Sequence, residues 1–512
     1  MKARFSIGVA ALTLVLAIAG CAAGGDTSPT SDAGGSGPQG EITVGTPLDV
    51  TTWNPHLSAM GPMMTYLTPV YDTLIRSTAD GALVPGIASA YKYTDGSRTT
   101  FELTIRDGVV FNDGTAVDAQ AVKANIEDAK SAAGPFSLGL SAVQSIDATG
   151  STVTIHLANV VPNLETTLAG PAGMIVDPDA LGSKALAAAP DGTGAYTLSK
   201  SSTSGTKYVL EARKDYWNPD AFGPRTLNLV VLTDNDARLN ALISGQIDAT
   251  IVFAPQASTA EKSGLTLIHQ PLNVYSLALA DRGGSKVPAL GDLRVRQALN
   301  YAVDRAAIAK ATTFGFGTPS TQMFPQNSPA FSSKAADLYP YDPDKARELL
   351  KEAGYGSGLT IPVFTEARFA SYLEAIDGYL RAVGVTLDIT TADSGGIQSW
   401  SDPKYAATVV AFGTNDPLTG LSTWAFPTSP NNPFKTELPD VGALRSAIYE
   451  AKTSDELKAA YQAVTLAMAE QAWFVSTNSV DTIYAYNPKA VKGITSYVGN
   501  SVPYVFGWTA VK

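Results

Sequence analysis

The chain has 512 residues, 45% of them hydrophobic and 16% charged, which is material for roughly two to four domains with substantial cores. Its 36 Lys and Arg against 47 Asp and Glu give a net charge of −11, which argues against a general nucleic-acid binder, because neutralising phosphates takes a clustered basic excess. A single cysteine excludes an intrachain disulfide and a cysteine-built metal site, and three isolated histidines (His56, His156, His269) argue against a histidine-built one, so no metal and no cofactor is expected.

Residues 1–20 read as an export signal: Lys2 and Arg4 give the positive start, 7–18 the apolar stretch, and Ala19-Gly20 the small residues at a cleavage point. That apolar stretch is too short for a bilayer span, which needs about 20 residues. Ile18-Ala19-Gly20-Cys21 matches the bacterial lipobox, in which the cysteine becomes the first mature residue and its sulfur carries a diacylglyceryl group. Residues 21–40, rich in Gly, Ser, Thr, Ala, Pro and Asp, lack the apolar surface to fold and read as a flexible tether. The expected place of the folded part is therefore outside the cell membrane, anchored to its outer face at Cys21.

From residue 41 onward, strand and helix signals alternate. Glu41-Ile42-Thr43-Val44 begins a strand, and Phe101, Leu103, Ile105 and later Val153, Ile155, Leu157 alternate with polar residues as half-buried strands do. Asp118 is placed to cap a helix whose Ala121, Val122, Ile126 and Ala129 share one face. A helix over 237–245 leads into a strand at 247–253. Asp342 as cap and Pro343 at the first position open a helix with Ala346, Leu349, Leu350 and Ala353 inward, and Gly354 ends it. A helix over 373–383 then runs into a strand at 385–389. The alternation indicates α/β layers. With no fixed repeat and no second linker, the domains are expected to pack closely.

Several segments carry a more specific signal. Arg98-Thr-Thr-Phe-Glu-Leu-Thr-Ile-Arg-Asp-Gly-Val-Val-Phe-Asn-Asp-Gly114 with Ala121-Val-Lys-Ala-Asn-Ile-Glu127 resembles the signature of the family 5 extracellular solute-binding proteins, the peptide- and nickel-type receptors of ABC importers. Gly192-Thr-Gly-Ala-Tyr196 with Arg213-Lys-Asp-Tyr-Trp-Asn218, Ala241-Leu-Ile-Ser-Gly-Gln-Ile-Asp248, Val295-Arg-Gln-Ala-Leu-Asn-Tyr-Ala-Val-Asp-Arg305 and the segment from Tyr341 to Tyr355 resemble further family stretches in the same order. One departure is Ala195, where the family has proline. The motifs themselves read as scaffold: Gly108 and Gly114 at turns, Arg294, Arg296, Asp304 and Arg305 as helix-surface and packing charges, Tyr216 and Trp217 in a core.

The resemblance implies an α/β, two-lobed periplasmic-binding-protein-like fold of class II, the large type with an extra subdomain in its first lobe and a ligand cleft between lobes. Residues 41–271 and 485–512 are expected to form lobe 1, with the extra subdomain at about 86–190. Residues 272–484 are expected to form lobe 2, with crossings near 272–280 and 474–484. It also implies a monomer that captures a small molecule or peptide, closes on it, and is read by ABC permease subunits.

Peptide receptors of this family hold the ligand ammonium with a second-lobe aspartate in a stretch resembling "W..DY.dP". Here that stretch is the shorter Phe412-Gly-Thr-Asn-Asp-Pro417, so Asp416 either is that aspartate or, with Asn415, caps the turn before Pro417. Arg368 is a candidate for an anionic end, against a solvated arginine at a helix start. An oligosaccharide or another small polar solute is the alternative ligand, and for a sugar Trp400, Trp424, Phe412 and Tyr275 lie in segments able to line the cleft. A nickel or haem ligand calls for a second-lobe histidine, whereas all three histidines precede residue 270, and His56 lies in a stretch, Trp53-Asn-Pro-His56, that looks like the family's first-lobe loop. A cell-envelope hydrolase is the rival class. No Gly-x-Ser-x-Gly elbow or His-Glu-x-x-His helix occurs, and the Ser-x-x-Lys pairs Ser89/Lys92, Ser204/Lys207 and Ser401/Lys404 lack their companion motifs. The reading is a receptor for short peptides with no chemistry of its own.

Overall fold

Alternating apolar residues such as Ile42 and Val44, both buried, put the strand Glu41–Thr46 inside a ten-stranded sheet. The computed structural model describes residues 38–58, 61–218, 221, 223–392, 404–413, 416–427, 429 and 431–511. The export segment, Cys21, most of the tether, Trp400, Ser401 and Asn415 lie outside the described residues. The sheet runs in the order Val385–Ala392, Leu359–Glu366, Ala407–Phe412, Thr266–Leu279, Phe474–Tyr486, Ala249–Val252, Glu41–Thr46, Thr226–Val231, Lys207–Ala212, Tyr196–Leu198.

The two long central strands, Thr266–Leu279 and Phe474–Tyr486, pair antiparallel along their lengths but change outer neighbours partway. Residues 483–486 pair with Ala249–Val252, whereas 274–279 pair with Ala407–Phe412. The register slips between Pro271 and Asn273, where proline has no N–H to give the ladder. The buried apolar clusters separate on either side of this slip. Two draw all their members from 277–475, and three draw theirs from 42–260 and 483–508. The architecture is thus two α/β lobes sharing a pair of strands.

Local chemistry explains the elements around them. Asp118 Oδ1 accepts from Ala121 N at 2.8 Å and starts the helix Ala119–Ser131, which buries Ala121, Val122, Ile126 and Ala129. That helix covers a separate four-stranded sheet, ordered Ala88–Tyr93, Thr100–Ile105, Thr152–Leu157, Val143–Thr149, whose Phe101, Leu103, Ile105, Val153, Ile155 and Leu157 face inward. Asp342 caps Pro343–Glu352 through Lys345 N at 2.8 Å, and Gly354 ends it at φ +88°.

Two helix boundaries differ from expectation. The helix expected over 237–245 is Asn235–Ile243, because Asp234 caps it through Ala237 N, and the strand after it is the shorter Ala249–Val252. The helix expected over 373–383 begins at Ala370, after a tight turn that buries Phe369, and ends at Arg381.

The motif arginines fall into two kinds. Arg294 is half exposed and pairs with Asp292 at 2.6 Å, as a surface charge does. Arg296 and Arg305, by contrast, are buried. Arg305 donates to Ser476 O (2.8 Å), Tyr339 O (2.9 Å), Asn300 O (3.0 Å) and Asn300 Oδ1 (2.8 Å), tying the helices Leu293–Tyr301 and Arg305–Thr313 to a central strand.

Candidate ligand cleft

Beside the strand crossing lies a cavity of about 1260 Å³ lined from both lobes. Lobe 1 contributes residues from 61–98, 135–174 and 498–506, lobe 2 contributes them from 272–273, 325–329, 413–419 and 452–461, and Pro271 lies at the crossing between them. Its polar equipment is of both signs. Asp72, Glu165 and Asp416 line it together with Arg76, Arg98, Lys452 and Lys458.

Asp416 takes the capping role and also lines the cavity. It caps the helix Pro417–Trp424, with Oδ1 accepting from Leu418 N at 3.0 Å. Its Oδ2 accepts from Thr419 Oγ1 at 2.6 Å and, from the facing lobe, from Asn163 Nδ2 at 2.6 Å. Burial raises its pKa against the pull of these donors. Beside it, the hydroxyl of buried Tyr461 lines the cleft with no hydrogen-bond partner among the described residues. Burial and then the nearby Asp416 charge push that phenol upward.

On the lobe-1 wall, Asp72 follows the fully buried helix Met64–Val70. Tyr216 Oη donates to its Oδ1 at 2.6 Å and Trp217 Nε1 to its Oδ2 at 2.8 Å. The aromatic pair expected only to fill a core therefore also orients a cleft carboxylate, whose pKa burial raises. The signal was present in the motif: a Tyr–Trp pair drawn largely out of water carries two donors that must find acceptors. Glu165 is half-buried on the same wall and is raised by burial too. Arg98, at φ +56°, lies over the Tyr93 ring at 4.6 Å and donates through Nη1 to the Ala451 carbonyl of the other lobe.

The remaining expected contacts fall elsewhere. Phe412 and Trp424 are 5% and 6% exposed and meet edge-to-face at 4.8 Å in the lobe-2 core. Strand alternation explains it: Ala407–Phe412 turns Phe412 inward, and the next residue, Gly413, reaches the cleft. No larger residue fits there, since a Cβ on Gly413 would come within 2.0 Å of Asn273 Oδ1 and 2.4 Å of Leu272 O. Tyr275 packs edge-to-face on Phe369 (5.4 Å) and Tyr372 (5.3 Å) at the margin of a core. The Arg368 side chain is 71% exposed and spent on Glu366 at 2.5 Å. None of these four residues lines the cavity. His56 is buried, with Nδ1 2.7 Å from Asp128 Oδ2 and Nε2 3.2 Å from Met174 O. Among the described residues no group of three His, Cys, Asp or Glu is placed to hold a metal ion. Ser89 and Ser204, from the Ser-x-x-Lys pairs, bond locally to Thr104 O and Tyr208 Oη.

Comparisons with known proteins agree with this geometry. A family model described as "Bacterial extracellular solute-binding proteins, family 5 Middle" matches residues 82–432. The glutathione-binding protein GsiB of Shigella flexneri serotype 5b is 29% identical over 322 residues, which is 60% of this chain and 61% of that protein's length. HbpA2 from Haemophilus parasuis superposes with a TM-score of 0.81 at 19% identity, over 92% of this chain and all of that one (100%). The periplasmic binding protein DppA from Helicobacter pylori, in complex with the peptide STSA, superposes with a TM-score of 0.75 at 20% identity, over 93% of this chain and 99% of that one. These solved structures share the two-lobed fold.

Proposed function

Because the chain belongs to family 5 of the bacterial extracellular solute-binding proteins, we propose that it is the substrate-binding component of an ABC importer, capturing short peptides between its lobes and presenting them to the permease. The observation that carries the peptide reading is Asp416, whose carboxylate on the lobe-2 wall accepts an N–H from Asn163 across the cleft. A ligand ammonium offers the same kind of donor, with a charge added. The mixed charge of the walls suits a zwitterion, and DppA, with the same fold, is described with a peptide bound.

In this reading 41–271 with 485–512 form lobe 1 and 272–484 form lobe 2, and the paired strands bend as the monomer closes. Cys21 carries the lipid that holds the receptor at the outer face of the membrane. Among the described residues no helix is long and apolar enough to cross one. Cys21→Ser should move the protein from the membrane fraction to the soluble fraction; unchanged fractionation would rule the anchor out.

Calorimetry with trialanine and N-acetyl-trialanine tests the ligand reading. Asp416→Ala should abolish binding of the free-amine peptide. It should also lower stability by about 1 kcal/mol, the usual cost of a lost helix cap. Undiminished binding of trialanine would sink the assignment. Oligosaccharide remains the second reading, favoured by Tyr91, Tyr93, Phe136 and Phe506 on the cleft lining. Native mass spectrometry of the gently purified protein separates the two, through adducts spaced by amino-acid residue masses or one adduct at a hexose multiple.

A further inference from the structure

We infer that Arg76, on the lobe-1 wall of the cleft, is the residue that binds a carboxylate of the ligand. The inference rests on the receptor reading above and adds the chemical class that this wall selects. Arg76 sits in the short strand Ile75–Ser77, paired with Val84 of the strand Leu83–Pro85. Alternation buries Ile75 in the core and turns Arg76 the other way, into the cavity. Its stem runs past Gly86, where an added Cβ would lie 3.1 Å from Arg76 Cγ. The guanidinium, half-buried, lies over the Phe506 ring at 5.6 Å. Among the described residues it has no hydrogen bond and no close ion pair, although its charge reaches Asp72 on the same wall.

That isolation is unlike the treatment of the other inward arginines. Arg213, Arg238, Arg282, Arg296 and Arg305 all donate to backbone carbonyls. The carboxylate of Asp72, on the same wall, already accepts from Tyr216 and Trp217. A guanidinium carries five N–H donors in a planar fork that matches the two oxygens of a carboxylate. The wall supplies more than the fork. Val498 N donates to Ala79 O at 3.0 Å, which brings the lining segment 498–506 against the hairpin that carries Arg76. On that segment Ser501 Oγ and Asn500 Oδ1 are buried with no hydrogen-bond partner among the described residues. They offer a hydroxyl donor for a carboxylate oxygen and an amide acceptor for a ligand N–H. Arg368, the anionic-end candidate from sequence, is exposed and paired with Glu366.

The test compares trialanine with trialanine amide on the full-length protein by calorimetry. Wild type should bind the acid about 10- to 100-fold more tightly than the amide, the range expected of charge-assisted hydrogen bonds. Arg76→Gln should bind both at the amide level, Arg76→Lys should recover part of the preference, and Arg368→Gln should keep all of it. Melting curves of both Arg76 variants show that the fold is intact. A preference that survives in Arg76→Gln, or is lost in Arg368→Gln, overturns the assignment.

If wild type binds neither probe, the peptide reading fails by itself. The same four proteins are then loaded with a small-molecule cell extract, and retained compounds are weighed before and after methyl esterification. A carboxyl-bearing compound held by wild type and Arg368→Gln but lost from Arg76→Gln supports Arg76 without the peptide. A retained compound without a carboxyl, one kept by Arg76→Gln, or no retained compound at all overturns it.

Discussion

Arg305, beneath the paired central strands, donates to Ser476, Tyr339 and Asn300, whereas Arg76, on the cleft wall, faces the cavity with an aromatic ring as its neighbour. Both are cations drawn out of bulk water. Under the strands, burial pulls the Arg305 guanidinium down to about 10 and that of Arg282 down to about 9, with no carboxylate within salt-bridge reach of either among the described residues. Carbonyl oxygens do the solvating instead, and each of these bonds fixes a helix or a strand. The scaffold therefore spends most of its arginine donors internally, with Arg282 Nε an exception, while on the cleft wall Arg76, Ser501 Oγ and Tyr461 Oη have no hydrogen-bond partner among the described residues.

The contrast is broken most forcefully on the scaffold side. Arg305→Met strands the carbonyls of Ser476, Tyr339 and Asn300, and orphaned acceptors cost about 1–3 kcal/mol apiece, so a loss of about 3 kcal/mol or more is expected in denaturant unfolding. A midpoint equal to wild type would mean that the network is ornamental. Next comes Gly413→Ala, whose new methyl overlaps Asn273 and Leu272 at the cleft floor. Overpacking of this kind costs about 1–3 kcal/mol. Because both neighbours line the cavity, trialanine affinity should fall with it.

Smaller, and of defined sign, is the effect of pH. Asp72, Glu165 and Asp416 are each raised by burial, so between the ordinary carboxylate value and the raised one the folded chain holds protons that the unfolded chain has released. Their contribution to stability is greatest below about pH 4 and is lost as pH rises through the raised values. Asp416→Asn should remove its share. The wild-type-minus-variant difference in unfolding free energy then falls with rising pH by at most about 1.4 kcal/mol per pH unit. A difference that rises over that range would contradict the burial of this carboxylate. The smallest effect belongs to Arg368→Gln, which breaks an exposed pair worth under about 1 kcal/mol and should leave the melting temperature within a few degrees.

Legibility in the sequence followed the range of the forces involved. Asp118 and Asp342 announced their helices because a cap acts within one turn, and Phe101, Leu103 and Ile105 announced a strand because alternation is local. Ala370–Arg381 was displaced from its expected start because tertiary burial of Phe369, and no cap signal, decides where it begins. The cleft was harder to read. Asp416 stood out by its place before a proline, but Asn163, 253 positions away, carries no local pattern that marks it as the partner. Phe412 and Gly413 are adjacent yet face the core and the cavity respectively, a parity that only the register of their strand resolves. Arg76 looks like any strand arginine until its missing acceptor is visible.

The paired strands carry one more implication, a kinematic one. Two lobes tied by a single strap can swivel, splay and slide. Here the straps are two, Thr266–Leu279 and Phe474–Tyr486, laddered together at about 4.8 Å spacing along most of their lengths. The ladder forbids sliding and resists splay, because either would break hydrogen bonds in series. What is left is bending and twist about the register slips at Pro271/Asn273 and Tyr275/Ser276. Such a tether leaves the two lobes a bend and a twist, and no slide, as their relative motion.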